Sequence, residues 1–241
     1  MAVAGGKFPE DSLGPPRVPR YKPLVPSIAL VRWVLLRLFR SPALAISGLA
    51  LLGGIPLLRS LTPVPTPRTG LDLALAWAFP AALLGIGLAL DTLSKGAEFL
   101  QRLDPLSRSL GEWTALSAAG AYLQLPSLAG ALLSGASPSD LGQALPAILT
   151  TDVLLGSVAF LSLLPASPTP LPTGLFLAST WVLPALAGAD ATLARFVAWL
   201  DVRPVLRAET WAEILPTLAA ALGLALGAHL LRTAPALARR R

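Results

Sequence analysis

The sequence predicts an all-α, polytopic membrane helix bundle: six transmembrane helices behind an N-terminal interfacial amphipathic helix, with both termini cytoplasmic. Three observations predict it. Only 13% of the 241 residues are charged and 54% are hydrophobic, against roughly 25% charged in soluble domains. The apolar mass is Leu and Ala, which favour helix, rather than the alternating segments of about ten residues that build an outer-membrane barrel. The apolar stretches also approach the ~20 residues that a helix needs to cross a bilayer, the shorter ones with help from tilt or flanking residues.

Residues 1–26 form a polar arm that Pro9, Pro15, Pro16, Pro19, Pro23 and Pro26 keep out of helix; a disordered cytoplasmic segment is expected, and no secretory signal pattern is present. Over residues 27–40 a helical wheel gathers Val31, Val34, Leu35, Leu38 and Phe39 on one side and Arg32, Arg37 and Arg40 on the other. With Trp33 at the boundary, this helix is expected to lie along the membrane surface. Ser41 and Pro42 supply an N-cap and a first-turn proline, opening a span at about 43–58. Further spans fall at about 73–90, with Pro80 inside it, and at 113–133, 141–164, 171–189 and 214–231. A polar segment, residues 91–112, divides the second span from the third, and a second insertion, residues 190–213, divides the fifth from the sixth. Residues 232–241 end the chain as a basic tail.

Charge sets the orientation. If the N-terminus is cytoplasmic, 14 of the 19 Lys and Arg residues fall in inside segments, the positive-inside signature. Residues 91–112 are then cytoplasmic and residues 190–213 external. Membrane-flanking basic residues are accounted for by topology and anionic lipid, so no nucleic-acid partner is expected. The abundance of Ala, Leu, Pro and Arg suggests a GC-rich bacterial genome as a matter of composition only; a bacterial inner membrane is the expected location of the bundle.

Within the polar segment, Glu98 and Arg102 are spaced i, i+4, and Leu93, Gly96, Ala97, Leu100 and Leu103 keep one side apolar, so Lys95 to Leu103 reads as a short amphipathic helix. Asp104 and Pro105 restart the backbone as N-cap and first helical residue. Charge pattern alone fits a solvated connector equally well.

The run Gly96-Ala97-Glu98-Phe99-Leu100-Gln101-Arg102-Leu103-Asp104-Pro105-Leu106-Ser107-Arg108 resembles the cytoplasmic segment of permease subunits of type-2 ABC exporters, in which a Gly and an acidic residue open a Leu-rich helix and a Pro-Leu-Ser-Arg step follows. Elsewhere the likeness is one of layout. Two positions depart from the pattern: Glu98 stands two rather than three residues after Gly96, and Glu112 takes a place where the family often has Lys. The resemblance implies a transport subunit that dimerises with a second copy or a related permease and pairs with an ATP-binding subunit. The ATPase-coupling residues it implies are Lys95, Gly96, Glu98, Arg102, Asp104, Pro105 and Arg108. ATP and Mg would belong to the partner, since this chain has no G-x-x-x-x-G-K-[ST] loop; no catalysis and no cofactor of its own are expected. Within the class, the heme exporter permease of cytochrome c maturation is a close alternative, echoed by Asp91, Gly96 and Glu98. A membrane scaffold or assembly factor is the alternative of another class.

Asp152 falls inside the fourth expected span, where a carboxylate is costly unless it faces protein, water or a partner. It is a candidate intramembrane polar site, with Thr150, Thr151 and Gln143 as expected hydrogen-bond partners. The lone His229 and the absence of Cys exclude a His- or Cys-built metal centre; a satisfied interfacial His is the expectation. Gly48, Gly53, Gly54, Gly85 and Gly87 are read as helix-packing positions.

Overall fold

A computed structural model describes residues 24–66, 68–96, 100, 103–164, 170–182, 203–206, 208 and 210–238. These residues are helical and contain no strand. The helices are α1 (Leu24–Phe39), α2 (Pro42–Ser60), α3 (Thr69–Lys95), α4 (Pro105–Leu133), α5 (Pro138–Ser162), α6 (Pro170–Leu177) running into a π-helical turn (Ala178–Val182), α7 (Arg203–Leu206) and α8 (Trp211–Ala238). Five of them, α2, α3, α4, α5 and α8, are long and apolar enough to cross a membrane, the mark of a multi-pass membrane protein.

Their starts follow local chemistry. Asp104 caps α4 by accepting from the Ser107 amide at 3.2 Å, and Pro105 fills the first helical position. Ser137 and Asp140 close a reciprocal capping box at the head of α5. Ser41 stands at the head of α2 before Pro42, yet its hydroxyl makes no cap bond.

The helices outrun the expected spans. α3 and α4 have 27 and 29 residues, about 40 and 43 Å at 1.5 Å per residue, more than the ~30 Å hydrocarbon core. At both polar ends of α3 charges pair one turn apart, in support of the helix: Arg68 with Asp72 at 3.5 Å, and Lys95 with Asp91 at 2.6 Å. Of the polar segment 91–112, residues 91–95 are the end of α3 and residues 105–112 the start of α4, which begins at Pro105 as expected, while residues 97–99, 101 and 102 lie outside the described residues. Likewise α8 continues to Ala238, through the residues read as the start of a tail. Of the expected span at 171–189, α6 and the π-helical turn cover the part up to Val182; the remainder, the N-terminal arm before Leu24 and most of the 190–213 insertion lie outside the described residues.

α4 is the axis of the packing. α3 runs antiparallel to it, with Gly85 against the Ala119 backbone and Gly70 near Ser134. α5 is antiparallel on another side, where Gly156 abuts Ser117 and Trp113 donates to Ser157 at 3.1 Å. α2 runs parallel: Gly48 meets Pro126, and Gly130 meets the Leu51 and Leu52 carbonyls. Small residues at these crossings let backbones approach, as in membrane bundles generally. α8 runs parallel to α5, since Ile214 clusters with Ala147 at one end while Arg232 reaches the Leu163 carbonyl at the other.

α1 differs from expectation. Ser27 donates to the Ser107 carbonyl at 2.9 Å, Leu30 lies against Gly111, and Phe39 stacks edge-on with Tyr122 at 6.5 Å. These contacts step along α4 in one direction, so α1 follows the bundle axis instead of crossing it as a surface-parallel helix would. Its apolar stripe, Leu30, Val34 and Leu38, is buried in the main protein core. An amphipathic stripe serves a lipid surface or a protein groove equally well, and here the groove takes it. Arg32, Arg37 and Arg40 remain exposed.

Candidate functional site

Two polar constellations stand out, one at an end of the bundle and one in its interior. The end in question gathers the start of α1, the end of α3, the start of α4, and the ends of α5 and α8. Here Gly96 caps α3, its amide bonded to the Thr92 and Leu93 carbonyls, and the Leu100 amide bonds back to the Gly96 carbonyl at 3.1 Å. Leu100 is buried in the main core, which pins the link between α3 and α4 to the bundle. Gly96 also makes room for Trp33: a Cβ there would stand 2.7 Å from the indole ring. Arg37 lies over that ring at 4.9 Å, a cation–π contact. Of the expected coupling residues, Lys95, Asp104 and Pro105 are exposed at this end and Arg108 is partly buried. Glu98 and Arg102 lie outside the described residues.

Glu112 does not belong to a docking surface. It is 1% exposed, accepts from Arg108 at 2.8 Å, and holds Arg232 of α8 with its other oxygen. Arg232 also donates to the Leu163 carbonyl at 3.1 Å and lies 5.1 Å from the Phe160 ring centre. One turn earlier, His229 shares a 2.7 Å hydrogen bond with Ser109, the satisfied role expected of it. Two guanidiniums on one carboxylate leave a local surplus of one positive charge. The cluster fastens the end of α8 to α4 and to the end of α5.

The interior constellation centres on Asp152, which is 2% exposed. Its partner is Gln124 of α4, whose Nε2 donates to Asp152 Oδ1 at 2.9 Å and to the Ala78 carbonyl of α3 at 3.2 Å. Of the expected partners, Thr151 donates to the Ala147 carbonyl at 2.9 Å, Gln143 is exposed, and Thr150 is buried on the same helix. Gly120 leaves the space that the carboxylate occupies, since a Cβ there would stand 2.7 Å from Oδ1.

The chain matches no family model, no curated protein and no solved structure. What the arrangement can do chemically is thus read from the residues themselves. Among the described residues no group of three His, Cys, Asp or Glu side chains could hold a metal ion. The end cluster is electrostatic and mechanical, joining α4 to α8 through one carboxylate and α8 to the end of α5 through Arg232. The interior pair joins α3, α4 and α5 through one amide and one carboxyl. Sequence reasoning passed over Gln124 and Arg232; an amide or an arginine within an apolar run was the available signal, since each is expensive in a membrane unless partnered.

Proposed function

We propose that this chain is the permease subunit of an ABC-type transporter, acting as an exporter in a bacterial inner membrane, with both termini cytoplasmic and energy supplied by a separate ATPase subunit. The observation that carries this reading is the position of residues 96–108. The run that resembles an ABC coupling segment joins two long helices at the end of the bundle where the exposed Lys95, Asp104 and Pro105 stand. Force transfer from an ATPase requires a link anchored to the membrane helices, and two of its described residues are so anchored: Leu100 is buried in the main core and Trp33 packs on Gly96.

The topology supports six crossings. Because α5 and α8 are parallel, the chain between Leu164 and Val205 has to return from one end of the bundle to the other. Lys95 and Arg108 stand at that end, and their charge supports a cytoplasmic assignment for it. A second permease copy would complete the translocation path, and ATP with Mg would bind the partner.

Purification of the tagged chain from its native membrane tests the proposal. An ATPase should co-purify, and its turnover in the complex should fall about tenfold, a coupling of ordinary size, on Glu98→Ala or Arg102→Ala with the complex still assembled. Recovery of the chain in a stable complex without ATP hydrolysis would overturn the transport reading and favour a membrane scaffold.

A further inference from the structure

We infer that Asp152 and Gln124 form a proton-binding site inside the bundle, a carboxylic acid paired with a carboxamide. The inference rests on which atoms of the pair are satisfied. Gln124 uses Nε2 twice, toward Asp152 Oδ1 and toward the Ala78 carbonyl. The Ala78 oxygen can only accept, so the amide is held with its nitrogen toward both oxygens and cannot be flipped without setting carbonyl against carbonyl. The atoms left over are Asp152 Oδ2 and Gln124 Oε1, both buried and both without a hydrogen-bond partner. Each is an acceptor when the carboxyl is ionised. A single proton on Oδ2 turns one of these two acceptors into a donor, whose hydrogen Oε1 can then accept.

No charged group in the surroundings offers this compensation, and the buried hydroxyl left without a partner among the described residues, that of Ser117, lies against Gly156, one turn beyond Asp152 on α5. On α5 itself, Thr151 is committed to the Ala147 carbonyl. On α4, the charged residues Arg108 and Glu112 pair with each other, and Glu112 lies eight residues before Gly120, about 12 Å along the helix. On α3, Asp72, Asp91 and Lys95 sit in its end turns and are paired with Arg68 or with each other. On α8, His229 and Arg232 are engaged by Ser109 and Glu112. α6 carries no titratable residue. The described residues therefore place no counter-charge for an ionised Asp152, and an uncompensated charge at this depth is expensive. Loss of the proton sets Oδ2 and Oε1 against each other as two acceptors and pushes α5 from α4, so proton occupancy is coupled to the packing of α3, α4 and α5. This holds whether or not the chain pairs with an ATPase.

Infrared spectroscopy of the full-length protein in lipid nanodiscs tests it. At neutral pH the wild type should show the C=O stretch of a protonated carboxyl that shifts on labelling aspartate at its carboxyl carbon and disappears in Asp152→Asn. Gln124→Leu should keep the band but move it toward the position of a free acid. In thermal unfolding, the wild type should lose stability as pH rises, because a proton bound when folded is released on unfolding. Asp152→Asn, whose amide can donate to Gln124 Oε1 as the acid does, should lose this part of the dependence. An aspartate carboxyl spectrum with no protonated band at neutral pH would overturn the inference, as would a band that survives Asp152→Asn. Should Asp152→Asn fail to fold, Asp152→Glu, which keeps a carboxyl but carries no aspartate label, takes its place: a labelled band that survives it overturns the inference.

Discussion

Replacing Glu112 with alanine is expected to destabilise the protein by about 3 kcal/mol, read as a fall in the thermal midpoint in detergent. Breaking a buried ion pair by removing one partner typically costs about 3–5 kcal/mol, because the other charge is stranded. Glu112→Ala strands two, Arg108 and Arg232. The lower end of the range applies, since these side chains keep 29% and 18% of their exposure and so retain some water. The loss should appear first at the end of α8, where Arg232 bridges to the Leu163 carbonyl; protease cleavage near residue 238 should accelerate before the core unfolds. Glu112→Gln, which keeps an acceptor, should cost less. A double replacement, Glu112→Leu with Arg232→Met, should recover much of the loss, as apolar substitutes for a buried pair often do. Equal midpoints for Glu112→Ala and the wild type would refute this account of the end cluster.

Gly85→Leu should be comparably damaging for a different reason. A Cβ at Gly85 points into the backbone of Ala119, coming within 3.0 Å of its carbonyl carbon and closer still to the oxygen. Backbone cannot rotate aside as a side-chain tip can, so α3 and α4 must separate. The neighbours Ala82, Ile86, Ala89 and Ala119 are fully buried, and separation would open all of their contacts together. Overpacking costs about 1–3 kcal/mol where side chains yield, and the upper end is expected here. Gly87 is the control: a Cβ there meets nothing within 4 Å, and Gly87→Ala should leave stability unchanged or raise it by up to about 1 kcal/mol through helix propensity. Thermal unfolding of the two variants side by side decides the matter; similar losses for both would show that the α3–α4 contact is looser than described.

These contrasts also show what could be read in advance. The helix start at Pro105 was legible because capping is local, Asp104 before Pro105 being a signal contained in two residues, and the start at Pro42 was legible from the proline alone, since Ser41 makes no cap bond. The membrane character was legible because composition sums over the whole chain. Gly85 and Gly87 look alike in sequence, and only the direction of each Cα–Cβ bond relative to α4 separates them. The stripe on α1 was read correctly as a stripe and assigned to the wrong neighbour, since Leu30, Val34 and Leu38 report that something apolar covers them and not what it is. Asp152 was singled out by its cost, but its partner lay on another helix. Glu112 was grouped with the polar segment by adjacency, whereas α4 had already turned it inward.

The end cluster has a consequence for biogenesis. Ser109 and His229 stand 120 positions apart in the chain, and Glu112 and Arg232 are separated equally. At a synthesis rate of about 5–20 residues per second, Glu112 is made roughly 6–24 s before Arg232. During that interval Arg108, one turn away on the same helix, is the cation available to it. The local pair acts as a placeholder that lets α4 settle with a neutralised carboxylate, and α8, made later, then completes the cluster, so that the closing ion pair locks α4 only once α8 has joined the bundle.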